Sequence, residues 1–228
     1  MSSFSILIPA YNEGERILNV LGVLRSVANI DSIIVVDDGS KDNTSEVVKA
    51  YIPQDPRIRL IRHQRNMGKG HAIMNAWRTT TAPYILMLDA DLIGLTSEHV
   101  NALCEPVFRG KYDMTLGLFK GGNWKTDFSH WATPWLTGQR CLGRDMLQFV
   151  SDEAASGYGL ETAMTVAAHQ QSWRVLKVPL YGMSHPISEV HRGGLKGVSN
   201  RIKMYSHVLR AWYIATAKTR AQSAFKLK

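Results

Sequence analysis

The sequence predicts an α/β fold in which a mostly parallel sheet is flanked by helices. Two observations support this fold class. Short apolar segments alternate with helical patterns through the first half of the chain, and each of these apolar segments is followed by polar residues or by a glycine or proline. Apolar strands that alternate with helices are typical of parallel βαβ units that are covered on both faces.

The first half contains four predicted strands and three predicted helices. An apolar residue recurs at helical spacing from Ile17 to Ala28, Asp42 can cap a second helix, and a third is predicted over residues 70–80. The strands are predicted at residues 4–8, 33–36, 58–61 and 84–88.

The second half is less regular. It predicts a strand at residues 112–118, a helix at 159–170 and a strand at 173–178 that Pro179 stops. Residues 119–136 contain three tryptophans and are predicted to form a loop or flap, either as an acceptor platform or as a small core. From about residue 198, apolar residues fall on one face of a predicted C-terminal helix: Ile202, Tyr205, Leu209 and Trp212.

The composition indicates a globular protein in a reducing compartment. The chain has 228 residues, is 45% hydrophobic, and contains two cysteines, too few for a disulfide framework. No apolar stretch is long enough to span a bilayer, and the N-terminus resembles a first strand more than a signal peptide. We therefore expect a cytoplasmic protein.

The positive charge is concentrated at the C-terminus. The net charge is +8, yet nine Lys and Arg residues and no Asp or Glu follow Glu189. This tail favours anionic surfaces such as phosphate, nucleic acid or acidic lipid. Two interpretations stay open. The tail packs on the core with its cations in solvent, or it lies on the inner face of the membrane as a peripheral amphipathic helix.

Polar clusters follow three of the predicted parallel strands, at residues 9–13, 37–40 and 89–91. Ligands of open parallel sheets bind at the carboxyl ends of the strands. Asp89 and Asp91 are separated by one residue, and such carboxylates are suitable ligands for Mg²⁺ or Mn²⁺ shared with a diphosphate. A pair of helix-capping residues is the alternative.

A glycine-rich turn, Asn66-Met67-Gly68-Lys69-Gly70, precedes the third predicted helix. Glycines let the backbone approach a phosphate, and Lys69 supplies positive charge. The turn lacks the GxxxxGK[ST] pattern of a P-loop.

The motifs PAYNE, VVDDGSKDNT, NMGKGHA and LDADL resemble, in this order, the nucleotide-binding half of GT-A-fold (Rossmann-like) family 2 glycosyltransferases. The resemblance covers about residues 4–92. It implies a single GT-A domain in which residues 1–118 bind the nucleotide sugar and residues 119–228 bind the acceptor. It also implies that Asp89 and Asp91 are the DxD pair that holds the metal and diphosphate. The implied nucleotide-sugar contacts are Pro9, Tyr11, Glu13, Asp38 and Lys69.

The resemblance continues less closely in the second half. Residues 136–140, LTGQR, resemble an acceptor-side loop. Residues 157–161, GYGLE, resemble a segment of glucosyl-3-phosphoglycerate synthases and polyprenyl-phosphate glycosyltransferases. This likeness makes Glu161 the candidate general base, with a helix-dipole carboxylate as the alternative. It also implies that His191, or else His185, is an extra metal ligand and that Arg192 contacts the diphosphate.

Together these features predict a metal-dependent hexosyltransferase. The favoured donor is UDP-glucose, with GDP-mannose second, and the acceptor is anionic or lipid-linked. Inversion is favoured and retention stays open. The alternatives are a nucleotidyltransferase on a related α/β fold and a basic nucleic-acid-binding module; nucleic acid is not among the partners we expect. The oligomeric state is open, with a homodimer as one option.

Overall fold

The computed structural model describes residues 2–121, 137–155 and 159–186. These residues form a seven-stranded sheet in the order β3-β2-β1-β4-β6-β5-β7. Strands β1 to β4 are mutually parallel, β5 is parallel to β7, and β6 runs antiparallel to both of its neighbours. The predicted mostly parallel α/β fold is confirmed. The strands are β1 (Phe4–Ala10), β2 (Ile30–Asp37), β3 (Ile58–Arg62), β4 (Tyr84–Met87), β5 (Met114–Lys120), β6 (Arg140–Gly143) and β7 (Val175–Tyr181).

Helices cover both faces of this sheet. Successive residues of β1 face opposite layers: Ile6 and Ile8 pack into one apolar cluster with α1 and α4, and Leu7 packs into a second cluster with α3 and α6. Strands buried on both faces read as continuous apolar runs, which is why the strand pattern was recognisable. The helices are α1 (Ile17–Leu24), α2 (Thr44–Tyr51), α3 (Lys69–Arg78), α4 (Ser97–Phe108), α5 (Asp152–Ala155) and α6 (Leu160–Gln170), with 3₁₀ helices at Ile52–Gln54 and Arg144–Phe149.

Two prolines do not stop their strands as the sequence suggested. Pro9 lies inside β1, where it pairs with Val36 beyond the end of β4. Pro179 lies inside β7, opposite Leu118, at the edge of the described sheet. Proline has no backbone N–H and cannot donate a hydrogen bond to a neighbouring strand. Both prolines are tolerated because, within the described sheet, each has a neighbouring strand on one side only.

Strand β6 was not predicted. The sequence suggested a loop over residues 136–140, but Arg140 begins a short strand that pairs with Met87 of β4 and Leu116 of β5. A four-residue strand between two buried strands leaves too short a pattern to recognise. Its position brings the residues just before it against the end of β4.

The described helices include none with the length and hydropathy needed to cross a bilayer. The predicted basic C-terminal helix, and Trp124, Trp131 and Trp135, lie outside the described residues.

Candidate active site

The two aspartates of the LDADL motif lie directly after β4, at the carboxyl edge of the sheet. His185 reaches the same place from the segment after β7, because residues 93 and 184 form an antiparallel bridge with backbone hydrogen bonds of 3.0 and 3.1 Å. The bridge requires a close approach. A Cβ on Gly94 would lie 2.3 Å from the carbonyl oxygen of Gly182, and Gly94 has a φ of +76°.

Asp89, Asp91 and His185 form a group that could hold a metal ion. One ligand atom from each lies within 4.8 Å of the other two. His185 Nδ1 is 3.0 Å from Asp91 Oδ1, and His185 Nε2 is 3.7 Å from Asp89 Oδ2. Two carboxylates and one imidazole suit Mn²⁺, and the carboxylates suit Mg²⁺. The residues present therefore fit the divalent cation that the sequence implied.

The environment of His185 favours its charged form. Burial alone would lower the pKa of His185, but the hydrogen bond with Asp91 and the negative charge of Asp89 outweigh it, so the pKa lies above its usual value. The ring also packs against Phe119, with 5.0 Å between ring centroids. His185 is thus held by contacts on several sides.

Lys69 connects the two halves of the site. Its Nζ lies 2.6 Å from Asp89 Oδ1 and 2.9 Å from Glu161 Oε1. Burial opposes the charge of the ammonium group, yet the two carboxylates raise the pKa of Lys69 above its usual value. Lys69 is the first residue of α3 and Glu161 lies in the first turn of α6, so this cation joins the predicted donor and acceptor sides.

The other oxygen of Asp89 is held by the residue that precedes β6. Gln139 Nε2 donates to Asp89 Oδ2 over 2.7 Å. Burial would raise the pKa of Asp89, but the charge of Lys69, with smaller contributions from His185 and the hydrogen bonds, keeps it below the usual value. Gly138 leaves the space for these contacts: a Cβ there would lie 2.4 Å from Lys69 Nζ and 2.8 Å from both Asp89 oxygens.

Asp38 stabilises the glycine-rich turn that carries Lys69. It is 2% exposed, and its carboxylate accepts from the backbone N–H groups of Met67 (2.9 Å) and Gly68 (2.7 Å). His63 Nδ1 lies 2.7 Å from the same carboxylate. The sequence predicted Asp38 as a nucleotide contact. The structure shows both of its oxygens accepting hydrogen bonds from the turn, and the nucleotide contact stays a prediction. No signal in the sequence pointed to His63.

The remaining predicted donor contacts lie around the end of β1. Pro9 is half-buried in the strand, Tyr11 is exposed just beyond it, and Glu13 pairs with Arg16 at 3.0 Å. The loop after β1 is tied to the loop after β2, because the backbone N–H of Asn12 donates to Ser40 Oγ over 2.9 Å. A cavity of about 360 Å³ opens beside this loop, lined by Gly39, Ser40, Arg62, His63 and Gln64.

A second cation, Arg140, lies near Glu161 and was not predicted as a site residue. It is fully buried, and its Nε donates to the carbonyl oxygen of Thr137 over 2.9 Å. Burial lowers the pKa of Arg140 to about 10, and the charge of Glu161 counters part of this effect. Arg140 therefore stays charged at neutral pH beside the candidate base.

Two further predicted site residues follow His185 in the sequence. His191 and Arg192 lie outside the described residues. Within the described residues, His185 lies with Asp89 and Asp91, and the ligand role of His191 stays a prediction.

Comparison with known proteins adds a family and a fold. The model of "Glycosyl transferase family 2" matches residues 5–169. Dolichyl-phosphate beta-glucosyltransferase ALG5C of Trichomonas vaginalis is 41% identical over 98 residues, which cover 38% of this chain and 28% of that protein. Glycosyltransferase AglD of Haloferax volcanii is 24% identical over 246 aligned residues, which cover 95% of this chain and 38% of that protein. The chain thus spans well under half the length of these curated relatives.

The fold is also that of a solved enzyme. Glucosyl-3-phosphoglycerate synthase from Mycobacterium tuberculosis, crystallised with Mn²⁺, uridine diphosphate and phosphoglyceric acid, superposes with a TM-score of 0.74 at 20% identity. The match covers 94% of this chain and 78% of that one. A further crystal structure of the same synthase contains Mg²⁺ with uridine diphosphate.

Proposed function

Because the chain belongs to glycosyl transferase family 2, we propose that it transfers a hexose from a nucleotide diphosphate sugar to an acceptor that carries a phosphate or a lipid-linked phosphate. The observation that carries the proposal is the group of Asp89, Asp91 and His185 at the carboxyl edge of the sheet, with Lys69 beside it. Family membership favours this activity over the nucleotidyltransferase and nucleic-acid-binding alternatives.

Asp89 and Asp91 would have different roles. Both oxygens of Asp89 have donors in this chain, Lys69 and Gln139, whereas Asp91 contacts His185 through Oδ1. Asp91 and His185 would therefore hold Mg²⁺ or Mn²⁺, and Asp89 would fix the ammonium group next to it. A bound divalent cation neutralises the charge that develops on a departing diphosphate.

UDP-glucose is the favoured donor and GDP-mannose the second. Support comes from the names of the relatives, two of which are glucosyl-transferring enzymes and one of which was crystallised with uridine diphosphate. Pro9, Tyr11 and Glu13 would contact the base and ribose, and Asp38 would act through the turn that it holds. Lys69 would add positive charge near the diphosphate, and Arg192 stays a prediction for the same role.

Glu161 is the proposed general base. Lys69 contacts its Oε1, so Oε2 is the oxygen that would take the proton of an acceptor hydroxyl. Lys69 and Arg140 place positive charge beside this carboxylate. An acceptor phosphate is already ionised and needs no base. In that case Glu161 would orient Lys69. Inversion of the anomeric carbon is the favoured outcome.

Donor hydrolysis tests the proposal directly. UDP- and GDP-sugars, each with Mn²⁺ or with EDTA, are incubated with the full chain, and release of the nucleotide diphosphate is measured. We expect metal-dependent release from one nucleotide sugar. Asp91→Asn should remove it, whereas Asp31→Asn, at the opposite end of β2 and exposed, should not. Equal rates with EDTA and with Mn²⁺ would refute the metal-dependent mechanism.

Acceptor chemistry needs a second comparison. Glu161→Gln should slow transfer to a hydroxyl acceptor by roughly 10²–10⁴-fold, as expected for loss of a general base. Transfer to a phosphate acceptor should fall far less. The matched control is Glu105→Gln, whose carboxylate lies on the exposed face of α4. Equal slowing with both acceptors would assign Glu161 to the placement of Lys69 alone.

A further inference from the structure

We propose that Gln139 is a positioning residue, whose side-chain amide holds Asp89 in the orientation that pairs it with Lys69 and leaves Asp91 and His185 to the metal. This inference rests on the proposed function. The sequence placed Gln139 in an acceptor-side loop, but the structure places it against the carboxylate of Asp89, 2.7 Å from Oδ2.

Gln139 is rigidly held. It is fully buried, and its backbone carbonyl accepts from the N–H of Gly117 on β5 over 2.8 Å. Its Oε1 lies 3.0 Å from the hydroxyl of Thr137, which also contacts the carbonyl oxygen of Gly117. Both polar atoms of the side-chain amide therefore have hydrogen-bond partners, Oε1 with Thr137 and Nε2 with Asp89.

The direction of its hydrogen bond follows from the chemistry of Asp89. An ionised carboxylate accepts hydrogen bonds and donates none, so the NH₂ side of the amide must face it. The reverse orientation would place Oε1 against a carboxylate oxygen. The side chain of Asp89 is mostly buried, so an unmade hydrogen bond at this point is costly.

The two oxygens of Asp89 are thus held from opposite sides. Lys69 contacts Oδ1 and Gln139 contacts Oδ2, which prevents rotation of the carboxylate. Without Gln139, Oδ2 is free to turn towards His185 Nε2, which is already 3.7 Å away. That movement would compete for the imidazole that the proposed metal needs. Gln139 would thus act on the ligand His185 through Asp89, and changes to such supporting residues typically weaken metal binding 10–100-fold.

Mn²⁺ binding provides the first readout. The full chain is titrated with Mn²⁺ alone, without nucleotide, and free Mn²⁺ is followed by electron paramagnetic resonance. We expect Gln139→Met to weaken Mn²⁺ binding on the order of 10–100-fold. The matched control is Thr115→Val on β5, which removes a buried hydroxyl bonded to the carbonyl of Leu103 without touching the site. It should lower stability and leave Mn²⁺ affinity unchanged.

A double-mutant cycle provides the second readout, independent of metal. Unfolding free energies are measured for Gln139→Met, Asp89→Asn and the double variant in EDTA. Coupling between the two positions, together with selective loss of Mn²⁺ affinity in Gln139→Met, supports the proposal. Absence of coupling overturns it, and so does coupling with wild-type Mn²⁺ affinity. A wild-type chain that binds no Mn²⁺, either alone or with UDP, would refute the metal-dependent function instead, and the cycle alone would then decide whether Gln139 holds Asp89.

Discussion

Lys69 Nζ and Glu161 Oε1 lie 2.9 Å apart, and this ion pair joins the start of α3 to the first turn of α6. The same ammonium group contacts Asp89 after β4. One cation therefore links the residues proposed to bind the donor with the residue proposed to activate the acceptor. A substitution of Lys69, Asp89 or Glu161 should therefore change the contacts of the other two residues.

Replacing Lys69 with Met tests this linkage. The variant leaves Asp89 and Glu161 facing one another without the intervening cation. Since hydrogen bonds to charged groups contribute about 1.5–3 kcal/mol, we expect the free energy of unfolding to fall by roughly that amount. Nucleotide binding should weaken as well. Urea unfolding and thermal shift with UDP measure the two effects. Lys177→Met on the exposed face of β7 is the control and should change neither. Unchanged stability of the Lys69 variant would contradict the structural role of the pair.

His185→Ala should weaken Mn²⁺ binding at least about tenfold, since it removes a proposed ligand and not merely a supporting contact. His169→Ala, near the end of α6 and exposed, is the matched control. Titration of each variant with Mn²⁺ measures the change. If His185→Ala keeps wild-type affinity, the ligand must come from elsewhere, and His191→Ala is the variant to measure next.

The position of His185 shows what the sequence could and could not predict. Asp89 and Asp91 were found because they follow an apolar strand, which is a local pattern. His185 and His191 both follow β7 in the sequence, and neither has a comparable local pattern. Only the bridge between Ile93 and Ser184, 91 residues apart in the chain, brings His185 to the aspartates. A contact between residues so far apart in the chain cannot be recognised from the spacing of neighbouring residues in the sequence.

The same reasoning explains Asp38 and Gln139. A polar residue at a strand end is compatible with binding a ligand and with holding a turn. The sequence did not reveal that Asp38 holds a turn, because the N–H groups of Met67 and Gly68 that it binds lie 29 and 30 residues away. Gln139 lies in a segment that looks like a loop. Its role depends on β6 running antiparallel beside β4, and that pairing was not recognisable from four residues.

Gly138→Ala should disturb the site while leaving the fold intact. The added methyl would lie 2.4 Å from Lys69 Nζ and 2.8 Å from both Asp89 oxygens, so the end of the lysine side chain must move away. We expect weaker Mn²⁺ and UDP binding with a loss of stability of about 1–3 kcal/mol. Calorimetric titration of both ligands checks this. Full-strength binding of Mn²⁺ and UDP would show that Lys69 and Asp89 need not be in contact.

A pair of glycine substitutions tests the packing of α3. At Gly70, a Cβ would lie 1.7 Å from the carbonyl oxygen of Ala155, a backbone atom that cannot easily move. Gly70→Ala should therefore destabilise the fold by about 1–3 kcal/mol or more. Gly22 is exposed within α1, and its nearest neighbour would be Tyr51 Oη at 3.9 Å. Gly22→Ala should stabilise by about 0.5–1 kcal/mol. Urea unfolding of both variants should give opposite signs, and a Gly70→Ala chain as stable as wild type would contradict the contact between α3 and α5.

The ion pair between Asp55 and Arg57 should make part of the free energy of unfolding depend on pH in the acid range. Asp55 is 3% exposed and accepts from Arg57 Nε at 2.8 Å and Nη2 at 2.6 Å. Arg57 in turn donates to the carbonyl oxygens of Leu24 (3.0 Å) and Val27 (2.9 Å), so the pair ties the end of α1 to the start of β3. The hydrogen bond from Arg57 is the largest influence on the pKa of Asp55 and, against the effect of burial, holds it below the usual value of 3.8.

A carboxyl whose pKa is lower in the folded state contributes stability that is present above its unfolded pKa and is lost as the pH falls through the folded value. Asp55→Asn should therefore cost about 1.5–3 kcal/mol at pH 7, and the difference from wild type should shrink below pH 3.8. Asp145→Asn, whose side chain is 85% exposed, is the control and should show no such pH dependence. Urea unfolding at pH 7, 5 and 3 measures the difference; a gap between Asp55→Asn and wild type that stays constant across this range would contradict the lowered pKa of Asp55.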